Sequence, residues 1–235
     1  MKMTKVLAVI ASAAVAATAM ATVASAADYN AYIQFQTTSY SFRNDWQTLQ
    51  KNGGGQLNNW GPHLIDHAIQ LMDAPIKEVW GDLKQIAARG DCEDHLKAVF
   101  RGKNGRIIDV EISGGVALPS PIYAVYGTRG SLICEDEQDI KLKYLHPDFE
   151  LPTTPAIDDT PTRKNPWTSA KAPVWVRKTI MVEPANKACM NDIYGHIYNT
   201  IRNGVPFPIK PEEAFEVVRW TQEIKKQNPA FSKAK

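Results

Sequence analysis

The sequence predicts an α+β domain in which an open, mostly antiparallel β-sheet carries helices on one face. Short segments of alternating apolar and polar residues follow one another with turn residues between them, as in antiparallel sheets. One helical pattern lies early in this block and two more close the chain, and such segregation of strands from helices is typical of α+β folds. The predicted strands are residues 31–42, 76–83, 95–101, 106–113, 123–126, 131–134 and 140–145.

Alternation and turn residues justify these strands individually. In the first strand, Ile33, Phe35 and Thr37 fall on one side of an extended chain. The third and fourth strands are joined by Asn104-Gly105, and Asn-Gly between two alternating runs is a strong hairpin signal. The short connections favour antiparallel neighbours over most of the sheet.

Three helices are predicted from apolar periodicity and end signals. The first covers residues 62–72 and begins with proline, which suits a first helical turn because its nitrogen needs no intrahelical partner. The second covers residues 187–202 and is stopped by Asn203-Gly204. The third covers residues 211–226 and begins with Pro-Glu-Glu, whose carboxylates suit the positive end of the helix dipole.

Residues 146–185 depart from this pattern. They hold seven prolines among threonine, aspartate and lysine, with Trp167 and Trp175 as the only large anchors. A loop of this length in a compact domain is usually functional or disordered. We expect an excursion that is ordered by its tryptophans or wrapped around another subunit.

Residues 1–27 are predicted to be a signal peptide. Lys2 and Lys5 precede an apolar run, and Ala24-Ser25-Ala26 is a small-residue cleavage site. The apolar run is too short and too rich in alanine for a typical membrane-spanning helix. Residues 28–235 are then one exported domain, periplasmic or secreted. Loss of the two lysines leaves equal numbers of acidic and basic residues, which disfavours nucleic acid and anionic membranes as partners.

We expect structural roles, not chemical ones, for the three cysteines and for one acidic cluster. Cys92, Cys134 and Cys189 form no CxxC motif and no Cys/His cluster, so buried free thiols are favoured, with one disulfide and an odd thiol as the alternative. The acidic residues 91, 93 and 94 precede a strand, and we expect a solvated turn there. No metal site is predicted.

The segment 53–67, GGGQLNNWGPHLIDH, is the strongest candidate for a functional site. Three consecutive glycines are unfavourable in a helix or strand and favour a sharp bend or a close backbone approach. His63 and Asp66 would then lie in the first turns of the following helix. Asn58 and Asn59 close the bend, where they either contact a substrate or hold the backbone.

Two further residues are predicted to line this site. Arg43 and Trp46 follow the first strand, and a guanidinium with an aromatic face suits a sugar's hydroxyl groups and C–H surfaces. A surface arginine and a core tryptophan are the alternative. Asp66 could orient His63, although a carboxylate in a first helical turn commonly serves the helix dipole alone.

Four sequence elements in order resemble the C-terminal domain of the Gfo/Idh/MocA oxidoreductases, the glucose–fructose oxidoreductase and inositol dehydrogenase family. They span roughly residues 31–228. The first matches a family element G-G-G-x-L-x-D-x-G-x-H-x-x-D and the third a G-T-x-G-S-L turn. The four elements are GGGQLNNWGPHLID, GDCEDHLKAVFRGKNGRIIDVEIS, VYGTRGSLIC and NDIYGHIYNTIRNGVPFPIKPEEAFEVVRW.

The resemblance implies a sugar or polyol substrate and a role for particular residues. It carries the family's catalytic histidine onto His63 and its acidic partner onto Asn59. An amide there keeps the hydrogen bonding but removes the negative charge, so His63 would be a weaker base. Two departures concern the cofactor: the chain has no G-x-G-x-x-G, and Glu183-Pro184 lacks the intervening lysine. We therefore expect no cofactor in this chain, and NAD or NADP only if a partner chain supplies a Rossmann domain.

Three hypotheses follow. The first is an exported substrate domain with a sugar or polyol pocket and no redox activity of its own. The second is an NAD(P)-dependent dehydrogenase that a separate Rossmann chain completes, and the third is a structural or interaction module. In each case the sheet face without helices should be apolar, which favours a homo-oligomer formed through that face.

Overall fold

The computed structural model describes residues 32–153, 158, 160, 172–182 and 192–232. These residues form one eight-stranded sheet with helices, which confirms the predicted α+β class. The predicted signal peptide, Cys189 and Trp167 lie outside the described residues. The strands are β1 (Tyr32–Thr38), β2 (Ile76–Lys84), β3 (His95–Gly102), β4 (Ile107–Ser113), β5 (Tyr123–Gly127), β6 (Gly130–Cys134), β7 (Asp139–Leu145) and β8 (Trp175–Met181).

The sheet has the order β2-β3-β4-β1-β5-β6-β7-β8. Strands β1 and β4 run parallel, and the other neighbouring pairs are antiparallel, so the sheet is mostly antiparallel as predicted. The Asn104-Gly105 turn joins β3 to β4, and Gly105 has a φ of 82°. This left-handed conformation is one that glycine adopts without a steric penalty.

Two of the helices pack on one face of the sheet. They are α2 (Gly61–Met72) and α4 (Pro211–Gln227), and α2 follows a single helical turn, α1 (Gln56–Asn59). Ile65 and Met72 of α2, together with Trp220 and Ile224 of α4, are buried against this face. Full burial of such side chains contributes roughly 1.5–3 kcal/mol each. The shared core therefore fixes α2, and with it the end of the glycine segment, relative to the sheet.

Side chains at the end of α4 protect the exposed edge of the sheet. The backbone N–H of Gly81 donates to Gln227 Oε1 at 2.9 Å, and that of Leu83 donates to Asn228 Oδ1 at 3.0 Å. Unpaired N–H groups on an edge strand are a template for aggregation. Here the outer donors at these two positions of β2 are occupied by the helix end.

A further helix, α3 (Asp192–Asn203), lies apart from the core. Its apolar side chains Ile193, Ile197 and Ile201 are exposed, as are Tyr194 and Tyr198. The helix ends at Asn203 as predicted, whereas the predicted start at residue 187 lies outside the described residues. No helix in the described ranges is both long enough and apolar enough to span a bilayer.

The sheet face without helices is not the apolar surface that we expected. Lys97 of β3 lies on this face and forms ion pairs with Asp109 at 2.8 Å and Glu111 at 3.0 Å. Burial lowers the pKa of Lys97, but its hydrogen bonds and charge interactions with the two carboxylates outweigh burial and raise it. Trp80 and Tyr126 flank these ion pairs and are 56% and 45% exposed. The face therefore combines ion pairs with aromatic flanks.

The long excursion contains a strand that the sequence analysis missed. Residues Trp175–Met181 form β8 and pair with β7 in an antiparallel register, Leu145 opposite Trp175. The Trp175 ring lies beneath the Lys143 ammonium, 4.9 Å from ring centroid to nitrogen. One of the two expected tryptophan anchors thus belongs to the sheet itself.

Candidate functional site

The glycine segment forms a tight bend because two of its residues touch other backbone and side-chain groups. A Cβ at Gly54 would clash with the carbonyl of Gln47. A Cβ at Gly55, whose φ is 101°, would clash with the Glu93 carboxylate. The backbone N–H groups of the two glycines donate to Leu49 O at 3.1 Å and Gln47 O at 2.8 Å. The predicted close backbone approach is confirmed, and its partners are groups of the protein itself.

Glu93 fixes the start of α1 from a distant part of the chain. Its Oε1 accepts the Leu57 N–H at 3.0 Å, and its backbone carbonyl accepts the Gln56 N–H at 3.2 Å. A carboxylate at a helical N-terminus compensates unpaired N–H groups there. Burial is the main cause that raises the pKa of Glu93, although the Leu57 N–H lowers it.

The neighbouring carboxylate is also buried. Asp94 accepts the backbone N–H groups of Ile86, Ala87 and Ala88 at 2.6, 2.8 and 2.7 Å. Glu93 and Asp94 are only 5% and 4% exposed. The prediction of a solvated turn is therefore wrong for these two residues, because Glu93 accepts an N–H after the glycine bend and Asp94 accepts those of residues 86–88. Asp91 is exposed, as that prediction expected.

A pocket of about 180 Å³ lies between the glycine bend and the segment that follows β1. Its walls hold amide, hydroxyl, guanidinium and carboxylate groups together with the Trp60 indole. Such convergent polar groups beside an aromatic surface are typical of small-molecule sites. The lining residues are Ser39, Ser41, Arg43, Gln47, Thr48, Gly55, Gln56, Asn59, Trp60, Ala88, Cys92, Glu93, Asp94 and Gly114.

Arg43 and Asn59, two of the predicted site residues, meet in this pocket through Gln47. Arg43 Nη2 and Asn59 Nδ2 both donate to Gln47 Oε1, the latter at 3.4 Å. Arg43 Nε also donates to Asp45 Oδ2 at 2.7 Å. That hydrogen bond is the main cause that lowers the pKa of Asp45. The guanidinium charge is thus partly compensated at the rim.

His63 stands beside the pocket and not among its lining residues. It is exposed, and its ring contacts Trp60 edge-on with 5.9 Å between ring centroids. Asp66, one turn further along α2, accepts Gln70 Nε2 at 2.7 Å. Burial, followed by the charge of Glu213, raises the pKa of Asp66. Among the described residues no hydrogen bond joins Asp66 to His63, so the orienting role that the sequence left open has no contact behind it.

The other two predicted residues also lie outside the pocket lining. Trp46 is 61% exposed. The Asn58 side chain donates to the carbonyls of Gly53 and Gly54 at 3.1 and 2.9 Å, so it holds the bend. Of the two interpretations left open for Asn58, the structural one describes these contacts.

Several lining residues were missed by sequence reasoning. Gln56 follows the glycine run directly, and its position was a usable signal. Gln47 and Glu93 gave no signal in the sequence. Gln47 reaches the pocket from the short 3-10 helix Trp46–Thr48, and Glu93 reaches it from the segment that enters β3. Cys92 also lines the pocket. Burial, with the charges of Glu93 and Asp91, raises its pKa to about 12, so the thiol is unreactive. Cys92 and Cys134 are buried and free, as predicted.

The glycine bend does not fit a dinucleotide. A phosphate-binding turn needs free backbone N–H groups at a helix start, whereas those of Gly54, Gly55, Gln56 and Leu57 are all bonded within the protein. The described residues also contain no group of three or more His, Cys, Asp or Glu side chains that could hold a metal ion. The pocket wall itself holds polar side chains and one aromatic residue, Trp60.

Comparison with known proteins identifies the fold and the family. The family model of the GFO/IDH/MocA C-terminal domain matches residues 8–133. No curated protein sequence matches the chain. Among solved structures, an NAD-binding protein from Listeria innocua is 20% identical with a TM-score of 0.61 over 84% of this chain. An oxidoreductase from Bacillus cereus is 19% identical with a TM-score of 0.58 over 85%.

A third solved structure is the WlbA dehydrogenase from Bordetella pertussis in complex with NADH and UDP-GlcNAcA. It is 14% identical, with a TM-score of 0.51 over 86% of this chain. The chain spans 52%, 56% and 53% of these three proteins in the order given, so it corresponds to about half of each. At such identities the structures establish the fold alone. The family match covers more than half of the sequence, and the chain belongs to the GFO/IDH/MocA family through its C-terminal domain.

Proposed function

We propose that this domain binds a sugar or polyol in the pocket beside the glycine bend. The observation that carries the proposal is the composition of the pocket wall. Amides of Gln47, Gln56 and Asn59 and the guanidinium of Arg43 line it together with the Trp60 indole. Amides and guanidinium groups pair with hydroxyls, and an aromatic face covers C–H surfaces.

The size of the pocket supports a small ligand. The pocket has a volume of about 180 Å³. Typical pockets for drug-sized ligands are larger, about 300–1,000 Å³. A single sugar ring or a polyol suits this volume better than a whole nucleotide sugar, the type of ligand named for the Bordetella protein.

We further propose that His63 acts on this ligand from the mouth of the pocket. Its contact with Trp60 sets the ring beside the pocket wall, four residues after Asn59. An exposed imidazole can accept or relay a hydroxyl proton. His63 and Asn59 therefore remain the proposed catalytic pair. Asp66, which accepts Gln70 Nε2, is not proposed as a ligand contact.

The backbone N–H groups of the glycine bend are hydrogen-bonded within the protein. This supports a domain whose described residues do not themselves bind a nucleotide. A second candidate function is a dehydrogenase whose nucleotide-binding half resides on a separate chain. The exposure of His63 favours this candidate, because a group at the mouth is accessible to a partner that covers it. Mixing the purified protein with a separate Rossmann-domain protein and NAD or NADP, and assaying sugar oxidation, tests it.

We also propose export and self-association. The apolar run after Lys2 and Lys5 supports a signal peptide, and intact-mass measurement of the native protein tests its removal. The exposed Trp80 and Tyr126 on the sheet face without helices support a homo-oligomer formed there. Such a two-fold contact would bury these side chains and cover the Lys97 ion pairs.

A thermal-shift screen tests the central part of this proposal. Ligands that bind only the folded state raise its melting temperature by mass action. We expect monosaccharides or polyols at millimolar concentration to stabilise the wild-type protein. A broad screen without any stabilising sugar or polyol would instead favour the third hypothesis, a structural or interaction module.

A further inference from the structure

Glu93 is a buried carboxylate without a cationic partner in the pocket. Its hydrogen-bond donors are the backbone N–H of Leu57 and its own N–H. No ion pair joins it to a lysine, arginine or histidine among the residues that the structure describes. The charged groups that act on it are Lys225 of α4 and the adjacent Asp94. An ionised carboxylate can accept about four hydrogen bonds, so part of its capacity is unused.

A second residue of the same wall, Gln56, has an acceptor without a partner. Gln56 Oε1 is buried and has no hydrogen-bond donor. Buried polar atoms without partners are costly and uncommon in folded proteins. The backbone N–H of Gln56 donates to the backbone carbonyl of Glu93 at 3.2 Å, and both residues line the pocket.

Three other polar residues of the lining have partners within the protein. Asp94 accepts three backbone N–H groups, and Gln47 Oε1 accepts from Arg43 and Asn59. The one guanidinium in the lining is bonded to Asp45. Arg43 is thus engaged by Asp45 and Gln47, and among the described residues no ion pair joins it to Glu93.

We propose that the pocket takes a polyhydroxylated ligand bearing a protonated amino group, and that Glu93 is the residue that selects it. This inference rests on the proposed function and names the substrate class of the same site. An ammonium group brings three N–H donors and one positive charge, which complements the Glu93 carboxylate and the Gln56 carbonyl together. A charge-assisted hydrogen bond in a buried site is stronger than a neutral one.

Isothermal titration with matched probes tests the inference. The probes are glucose, 2-amino-2-deoxyglucose and its N-acetyl form, with inositol and a monoaminoinositol as a second pair. We expect the amine in each pair to bind at least tenfold tighter than its neutral counterpart, and acetylation to abolish the gain. Equal affinities for amine and neutral probe would overturn the inference and leave the proposed function intact. If none of the probes binds, both fail.

Two further arms assign the selectivity to Glu93. Glu93→Gln keeps the acceptor for Leu57 and should remove the preference for the amine over its neutral counterpart. Glu223→Gln removes the same charge on the exposed surface of α4 and should leave the preference unchanged. In the wild-type protein, raising the pH through the pKa of the ligand's ammonium group should reduce the preference for the amine. This arm does not depend on the folding of a variant. A preference that survives Glu93→Gln or survives ligand deprotonation contradicts the assignment.

Discussion

The Oε1 atom of Glu93 accepts the backbone N–H of Leu57 at 3.0 Å, a bond between residues 36 positions apart. It joins the segment that enters β3 to the first turn after the glycine bend. Because the glutamate is 5% exposed, solvent competes little for this bond. The pocket wall is therefore held by an interaction that connects the sheet to the candidate site.

The tight packing of the glycine bend predicts that even an added methyl group there lowers the stability of the fold. Gly54→Ala and Gly55→Ala should each lower the free energy of unfolding by about 1–3 kcal/mol or more, since the new methyl group meets a carbonyl or a carboxylate. Gly195→Ala on exposed α3 is the control, because its Cβ meets nothing within 4 Å. It should leave stability equal or raise it by about 0.5–1 kcal/mol. Urea denaturation compares them, and equal stability of all three variants would argue against the packed bend.

His67 predicts acid sensitivity of the fold. Burial, with the charge of His63, lowers its pKa to about 4, and its Nδ1 is buried without a partner. The unfolded chain binds this proton near pH 6.5, so the stability contribution is complete above that pH. It is lost as the pH falls toward 4, on the order of 3 kcal/mol in all.

His67→Leu isolates this contribution. The variant cannot titrate at this position, so its stability should fall less than that of the wild type between pH 6.5 and 4. Buried carboxylates such as Glu93 act in the opposite direction but are common to both proteins. Denaturant titrations at several pH values provide the comparison. Parallel stability curves for the two proteins would contradict a buried neutral histidine.

The sheet face predicts where subunits meet. Tyr126 is 45% exposed and stacks on Tyr32 with 5.9 Å between ring centroids. Tyr126→Glu should dissociate an oligomer, because it places a charge in the contact. Tyr198→Glu on α3 is the matched control and should not. Sedimentation velocity distinguishes them, and dissociation by Tyr198→Glu alone would move the contact to α3.

The occupied N–H groups of the glycine bend predict that the isolated protein does not bind NAD or NADP. Calorimetric titration of each dinucleotide should give no measurable heat at micromolar protein. Micromolar affinity would show that a nucleotide site exists which the described residues do not reveal.

Much of the fold could be predicted from local sequence patterns. The parts that depend on contacts between distant residues could not be predicted from the sequence. Asn104-Gly105 set the hairpin and Pro62 the start of α2, since both signals act within a few residues. The strand Trp175–Met181 was missed because it lies among prolines and carries Arg177 and Lys178 on an edge. Its identity depends on pairing with β7.

In the candidate site, too, some residues could be predicted from the sequence and others depend on long-range contacts. Arg43 was predicted from its residue type and Asn59 from the family resemblance, and both line the pocket. Glu93 was assigned to a solvated turn, because its sequence neighbours are acidic and its partner Leu57 is distant. The ion-paired cluster on the uncovered sheet face was missed for a related reason: the pairing of Lys97 with Asp109 and Glu111 depends on the register of two strands.

The most direct test of the account is calorimetric titration of a sugar or polyol into the wild type and two asparagine variants. Asn59→Ala removes a pocket amide and should weaken binding by about 1–3 kcal/mol, the cost of an unpaired buried polar group. Asn199→Ala removes an exposed amide on α3 and should bind as the wild type does. Binding that is equal in all three proteins, or absent from all three across a broad screen, would contradict a ligand site at the glycine bend.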